Sequence, residues 1–439
     1  MTISSVRADS RYRRTLKICA LVLGTGLAVL VFDAHYRFFD MVIYHDAIRW
    51  WTHGGDLYDY IAPVQGQLGF TYPPFAALVL LPVSTLSAAV AGWLNVAASI
   101  AALAVVLTVA TAPIAARHGW TKCSVLAVAL PLALLTEPVR QTLGFGQVNL
   151  LLLVLVVVDL AVLRGSAWLG VGVGIATAIK LTPGLFLVYL LVTRQWRAFW
   201  TATCTVAALT AGGFLIAPAE SMRYFGHLIW QTSRVGATDA ITNQSLAGLL
   251  ARAAGTATAP TGWWLAASLL MLVAGLRRAR VAHLDGDEMA ALTLVGLTAN
   301  LISPISWTHH LVFLPIAILV LADLALRNGD PLPGIAALAG YTLSVVSPIW
   351  LTPHAATGIQ VLILENTFTL MLMALLVTIP RRSPLVDSPG GKPIRWLHES
   401  SHLRPLRRTR RPAPAGRAHP GPGRPGRSDQ GTGGRDDQG

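Results

Sequence analysis

The polar side chains with catalytic potential stand in short, separated motifs within otherwise apolar sequence. Asp40 sits near the start of FFDMVIYHDAIRWW, Arg140 lies in EPVRQTLGFGQVN, Lys180 interrupts an apolar run in IKLTPG, Asn243 opens NQS, and His309 and His310 close SPISWTHH. A carboxylate can accept the proton of an attacking hydroxyl, while lysine, arginine and histidine can stabilise a departing phosphate. These residue types suit a sugar hydroxyl meeting a lipid-linked phosphosugar. No Walker loop, dinucleotide fingerprint, HExxH or GxSxG motif offers a competing chemistry, and GFGQ at 144–147 lacks the spacing of a phosphate cradle. The three cysteines, Cys19, Cys123 and Cys204, fall in apolar runs without metal-ligand spacing. No metal, cofactor or disulfide framework is expected.

Each of these residues also has a plainer reading. Asp40 can cap the helix that follows it, because aspartate readily accepts from free N–H groups, and Asp46 and Asp56 are rival carboxylates. Lys180 can snorkel to a headgroup, although Pro183 and Gly184 just beyond it favour an interior break. Adjacent histidines point apart on a helix, so one of His309 and His310 is expected to face the site. Arg140 stands open between an ordinary loop cation and a phosphate partner. Asn243-Gln244-Ser245 has the form of a glycosylation sequon and is read here as a site-lining turn. The Tyr and prolines of TYPP at 71–74 fix a loop's path, and Trp50 and Trp51 suit an interfacial aromatic belt before sugar stacking.

The elements that must carry these motifs are membrane helices. Of 439 residues, 54% are hydrophobic and 13% charged, too little polar surface to cover the chain in water. Apolar runs recur to about residue 380, so residues 1–380 read as one polytopic all-α domain of about ten spanning helices. The first run, 15–32, is too long for a signal-peptide core and lacks a cleavage site, so it reads as an uncleaved span. Five basic residues, Arg7, Arg11, Arg13, Arg14 and Lys17, lie before it or in its first turn, placing the N-terminus in the cytoplasm. Later basic loops stay on that side only if residues 166–193 fold back as a re-entrant pair of short helices, broken where proline cannot continue the ladder. FFDMVIYHDAIRWW then becomes an interfacial helix in the first external loop.

With that parity the polar motifs gather on one face. The expected protein is therefore a multi-pass plasma-membrane protein, with both termini cytoplasmic and the active site extracytoplasmic. Residues 381–439, rich in Pro, Gly and Arg, read as a disordered basic cytoplasmic tail. The tail carries much of the formal charge of +13. Its composition fits contact with anionic membrane lipid and gives no reason to expect nucleic acid as a partner.

Taken together, FFDMVIYHDAIRWW, GFTYPPFAAL, EPVRQTLGFGQVNLLL, GIATAIKLTPGLF, NQS and LISPISWTHH closely resemble the actinobacterial polyprenyl-phosphate-mannose-dependent α-1,2-mannosyltransferases of the GT-C superfamily. The resemblance implies a GT-C-like bundle that performs an inverting transfer from β-linked polyprenyl phosphomannose to a glycolipid or lipoglycan hydroxyl. It also implies Asp40 as the general base, with Lys180, His309 and His310 on the donor-phosphate side. The basic tail departs from the family pattern, and its role stays open. Two alternatives remain at this point: a GT-C enzyme using another lipid-linked sugar, such as arabinose or glucose, and a lipid or solute transporter. A transporter should repeat its broken helix in a second half, and the sequence contains one such segment.

Overall fold

A computed structural model describes residue 19 and residues 22–26, 36–63, 68–352 and 358–379. The basic N-terminal residues, most of the expected first span and the expected tail lie outside the described residues.

The described residues are helical. In chain order they form α1 (Phe39–Thr52), α2 (Pro74–Leu80), α3 (Ala88–Arg117), α4 (Lys122–Leu134), α5 (Glu137–Gly144) and α6 (Asn149–Val157). These are followed by α7 (Val171–Ile179), α8 (Leu185–Val192), α9 (Trp196–Ile216), α10 (Pro218–Gly226), α11 (Leu246–Ala254) and α12 (Thr261–Leu284). The last are α13 (Glu288–Ile302), α14 (Leu314–Asn328), α15 (Pro331–Val346), α16 (Ile359–Glu365) and α17 (Thr367–Thr378). No strand occurs among the described residues, only an isolated bridge between Asn243 and Trp307. Side-chain caps fix several starts. Ser87, Thr121, Ser245 and Asp287 accept from the N–H groups of Val90, Ser124, Gly248 and Ala290 at 3.1–3.3 Å, taking up donors that have no partner within the helix.

Among the described residues the all-helical expectation holds, and the count of about ten spans is not confirmed. Two helices among the described residues, α3 and α9, are long and apolar enough to cross a membrane. The number rises to four if the bent pairs α4–α5 (75°) and α16–α17 (71°) each count as one span. Other apolar runs form shorter helices, including α13 and α15. The difference is physical: the chain stays apolar while its helices are cut by bends, a π turn at Val158–Val162 and tight turns, which an unbroken hydropathy run conceals.

Glycines set the close packing. A Cβ on Gly275 of α12 would lie 1.9 Å from the Thr298 hydroxyl of α13, and one on Gly174 of α7 would lie 2.8 Å from the Ala202 carbonyl of α9, so the helices meet nearly backbone to backbone. The same contacts define the path of the broken pair. Gly170 abuts Ala198 and Gly174 abuts Thr205, so α7 rises beside α9 from the N-terminal end of α9. Lys180 is extended (φ −146°, ψ 132°) and ends α7, a short turn carries Pro183, and α8 returns to Val192, just before α9 begins. Both ends of the pair therefore lie at one end of α9, with Lys180 at the apex.

Polar contacts pin the far ends of these helices. Asp159 accepts from the N–H groups of Gly170 (2.8 Å) and Val173 (2.9 Å). Glu288 receives the Tyr189 hydroxyl at 2.5 Å, His283 at 2.8 Å and Arg164 at 3.1 Å. Arg117, at the end of α3, pairs with Asp323 near the end of α14.

Candidate active site

Asp40 is positioned by an unusual helix start. Arg37 and Phe38 adopt left-handed conformations (φ 49° and 56°), which costs local strain for non-glycine residues. That turn aims the N–H groups of Phe38, Asp40 and Met41 at the carbonyls of Gly144 and Phe145, at 3.0–3.1 Å. Backbone carbonyls thus supply partners at the start of α1, and no side-chain cap is formed. The Asp40 carboxylate is left to face a cavity, where Oδ2 accepts from Gln147 Nε2 at 2.6 Å. Burial pushes its pKa up to about 6, against the opposing hydrogen bond from Gln147 and the charge of Lys180.

The rival carboxylates are engaged elsewhere. Asp46 bonds the His45 ring at 2.8 Å. Asp56 pairs with Arg223 at 2.8 Å, and Asp59 pairs with the same guanidinium. Apart from Asp40, the carboxylate lining the cavity is Asp239, which is exposed.

The cavity measures about 920 Å³. Lys180, His309 and His310 line it together with Asp40, Tyr44, Tyr72, Gln147 and Trp307. Lys180 Nζ donates to Asn149 Oδ1 at 2.8 Å and lies 5.2 Å from the centre of the Tyr72 ring, a cation–π arrangement. Asn149 Nδ2 in turn donates to the His309 carbonyl at 2.8 Å, which also receives the Thr142 hydroxyl at 2.9 Å. These bonds hold the short turn Thr308–His310 so that both histidines reach the cavity, their rings 4.6 Å apart and nearly perpendicular. The expected divergence belongs to an α-helix, and this turn is a 3₁₀ turn. The ring nitrogens of His309 are buried and make no hydrogen bond among the described residues. Behind Lys180 lies a narrow, mainly apolar slot of about 50 Å³ between α6, α8 and α13.

Arg140 and Asn243 do not line the cavity. Arg140 Nη2 pairs with the buried carboxylate of Glu137 at 2.7 Å and bonds the Val345 carbonyl at 3.2 Å. Glu137 also receives Gln141 at 2.5 Å and Trp350 at 2.9 Å, and Gln141 accepts from the Thr308 hydroxyl. Asn243, fully buried, accepts from Ser306 N at 2.8 Å and donates to the carbonyls of Thr238 at 2.8 Å and Pro304 at 3.2 Å. Its amide clamps the loop that leads to the histidines. Trp51, expected in an aromatic belt, donates its indole N–H to Glu220 at 2.7 Å.

Three polar residues escaped the sequence reading as site residues: Gln147, Tyr72 and Asn149. The available signal was their polarity inside GFGQVNLLL and FTYPPF, apolar contexts in which a buried amide or phenol must find a partner.

Residues 70–304 match Glycosyltransferase family 87. A polyprenol-phosphate-mannose-dependent alpha-(1-2)-phosphatidylinositol mannoside mannosyltransferase of Mycobacterium tuberculosis is 34% identical over 79% of this chain and 85% of its own length. Its namesake from Mycolicibacterium smegmatis is 32% identical over 72% of this chain and 76% of its own. A polyprenol-phosphate-mannose-dependent alpha-(1-2)-phosphatidylinositol pentamannoside mannosyltransferase of Mycolicibacterium smegmatis is 32% identical over 63% of this chain and 68% of its own. No solved structure matches the chain. With a family match over more than half its length and relatives at about a third identity over most of it, the chain belongs to glycosyltransferase family 87 and is a glycosyltransferase.

Proposed function

We propose that this glycosyltransferase moves a mannosyl residue from polyprenyl phosphomannose to a hydroxyl of a phosphatidylinositol mannoside or related lipoglycan acceptor. The observation that carries the reading is the placement of Asp40 and Lys180 on one cavity, joined through Gln147 and Tyr72. One wall then offers a proton acceptor and the other a cation.

In the proposed step the acceptor oxygen attacks the anomeric carbon of a β-linked donor. The bond from that carbon to the phosphate oxygen breaks, and polyprenyl phosphate leaves with the electron pair. The acceptor proton passes to Asp40, and Lys180 with His309 and His310 holds the phosphate as its charge grows. A single displacement inverts the centre and gives an α linkage, assigned as α-1,2 from the relatives' names. Trp307, on the cavity wall, offers an aromatic face for a sugar ring. The apolar slot behind Lys180 would receive the first carbons of the prenyl chain.

The site is assigned to the extracytoplasmic face of the plasma membrane. Four helices that begin beside cavity-lining residues carry basic residues at or just beyond the other end: Arg117 on α3, whose Asn95 bonds the Gln147 carbonyl; Arg164 after α6, whose Asn149 bonds Lys180; and Arg194 after α8 and Arg327 on α14, helices that follow closely on Thr182 and His310. This asymmetry supports a cytoplasmic far end by the positive-inside rule. The test is incubation of the purified chain with polyprenyl phosphomannose and a panel of phosphatidylinositol mannosides of increasing size, followed by linkage analysis. An α-1,2-mannosylated product is expected. Turnover only with a different polyprenyl-phosphate sugar would replace the donor assignment.

A further inference from the structure

We infer that Gln147 and Tyr72 are positioning residues for the transfer, selecting which oxygen of Asp40 meets the acceptor hydroxyl and tying that carboxylate to the Lys180 wall. The inference rests on the reading of Asp40 as the base.

A lone glutamine amide can face either way, but here both ends are determined. An ionised carboxylate only accepts, so Gln147 must present Nε2 to Asp40 Oδ2, at 2.6 Å. That leaves Oε1 to accept, and the Tyr72 hydroxyl donates to it at 2.6 Å. Asp40 lines the cavity, and its Oδ1 makes no hydrogen bond among the described residues. The chain of bonds therefore holds one carboxylate oxygen and leaves the other for the incoming proton.

The backbone beneath is equally constrained. Gln147 N–H donates to the Thr142 carbonyl at 2.9 Å, and its own carbonyl accepts from Asn95 Nδ2 at 3.2 Å. Gly146 is left-handed (φ 71°), and a Cβ there would stand 2.6 Å from Met41 Cβ, so only glycine lets this loop press on α1. Gln147 and Tyr72 are almost fully buried, at 3% and 5% exposure, so water cannot readily replace their bonds. Tyr72 serves both walls: its hydroxyl orients Gln147, and its ring lies under Lys180.

The two roles of Tyr72 can be separated. Tyr72→Phe keeps the ring beneath Lys180 and removes one oxygen, while Gln147→Leu removes the amide at similar volume. The measurements are donor affinity and single-turnover rate from about pH 5 to 8, on full-length protein with parental thermal stability. The charged and titratable groups facing Asp40 are Lys180 and the phenols of Tyr44 and Tyr72. Donor affinity should stay within about twofold for both variants, while the rate falls roughly 10- to 100-fold. In Gln147→Leu the acid limb should move to higher pH by about half a unit or more, because the carboxylate loses a donor that favours its charged form.

A parental rate and acid limb in Gln147→Leu, alongside an inactive Asp40→Asn, would overturn the inference and spare the base assignment. A lowered rate with an unmoved limb and lost thermal stability would make Gln147 a packing residue and overturn it equally. Full turnover by Asp40→Asn would remove the base, and the positioning role with it. Where Gln147→Leu fails to fold, Tyr72→Phe decides by the same rate and affinity criteria.

Discussion

The Lys180 ammonium and the Asn149 side-chain oxygen meet at 2.8 Å, joining the apex of the α7–α8 pair to the first residue of α6. The same asparagine holds the His309 carbonyl through its amide nitrogen. One side chain thus sets the spacing between the cation and the histidine turn. A lysine at a helix break among apolar neighbours would otherwise be free to seek water or a headgroup, and this contact keeps it on the cavity.

From that geometry, Lys180→Ala should weaken donor binding by roughly 10- to 100-fold, the size expected for loss of a charge-assisted contact to phosphate. The transfer step should slow as well, because the leaving phosphate carries more charge than the bound ester. Asn149→Ala keeps the charge but loosens it, so its effect on donor affinity should be smaller. Titration of the donor analogue polyprenyl phosphate into parent and variants gives the comparison. Undiminished affinity in Lys180→Ala would detach the phosphate from this wall.

Asp40→Asn keeps size and most hydrogen-bonding shape but cannot take a proton, so single turnover should fall by roughly 10² to 10⁴ with donor affinity little changed. The pH dependence follows from the sign of the shift. Burial raises the pKa of Asp40 to about 6, and the base must be ionised to act. Above that value the rate should be level. Below it the protonated fraction grows and the rate should drop about tenfold per pH unit. Rate profiles of parent and Asp40→Asn, corrected for stability at each pH, check both halves. An acid limb that survives unchanged in the variant would belong to another group.

How far the sequence carried this picture can be judged residue by residue. Asp40, Lys180, His309 and His310 stood out because charged or imidazole groups near apolar runs are costly without a purpose, and they share a cavity. The break at IKLTPG was legible because proline and glycine punctuate helices wherever they stand. Gln147, Tyr72 and Asn149 were not legible as partners, since their bonds join residues 107, 75 and 31 positions apart and pairing at that range leaves no local pattern. Arg140 and Asn243 look the same in sequence whether they bind a ligand or a neighbouring backbone. Span number was obscured for the opposite reason, because hydropathy stays high through bends that end helices.

Asn243 separates a clamp from a ligand-binding group. Its side chain bonds one backbone N–H and two carbonyls around the Ser306 loop. Asn243→Ala should therefore destabilise the protein by about 1–3 kcal/mol through groups left without partners. Activity should fall in proportion to the folded fraction, with KM for the acceptor near the parental value. Thermal unfolding in detergent beside acceptor kinetics tests this. A raised acceptor KM at unchanged Tm would return Asn243 to the substrate-binding set.

The orientation of the bundle can be read by labelling. Thr258, exposed at the cavity rim, and Asn328, the exposed last residue of α14 at the far end, should fall on opposite sides of the membrane. The native cysteines Cys19, Cys123 and Cys204 are exposed, so the experiment begins from a variant in which all three are serine and turnover is retained. In sealed, right-side-out vesicles, Thr258→Cys should react with a membrane-impermeant maleimide at once, and Asn328→Cys only after the membrane is opened. The basic residues at the far ends of α3, α6, α8 and α14 favour this assignment, and the return of α8 to the starting end of α7 keeps their parity. Reaction of both positions from outside would break the assignment of Thr258 and Asn328 to opposite ends of the bundle. Reaction of Asn328→Cys alone would invert the bundle and place transfer on the cytoplasmic side.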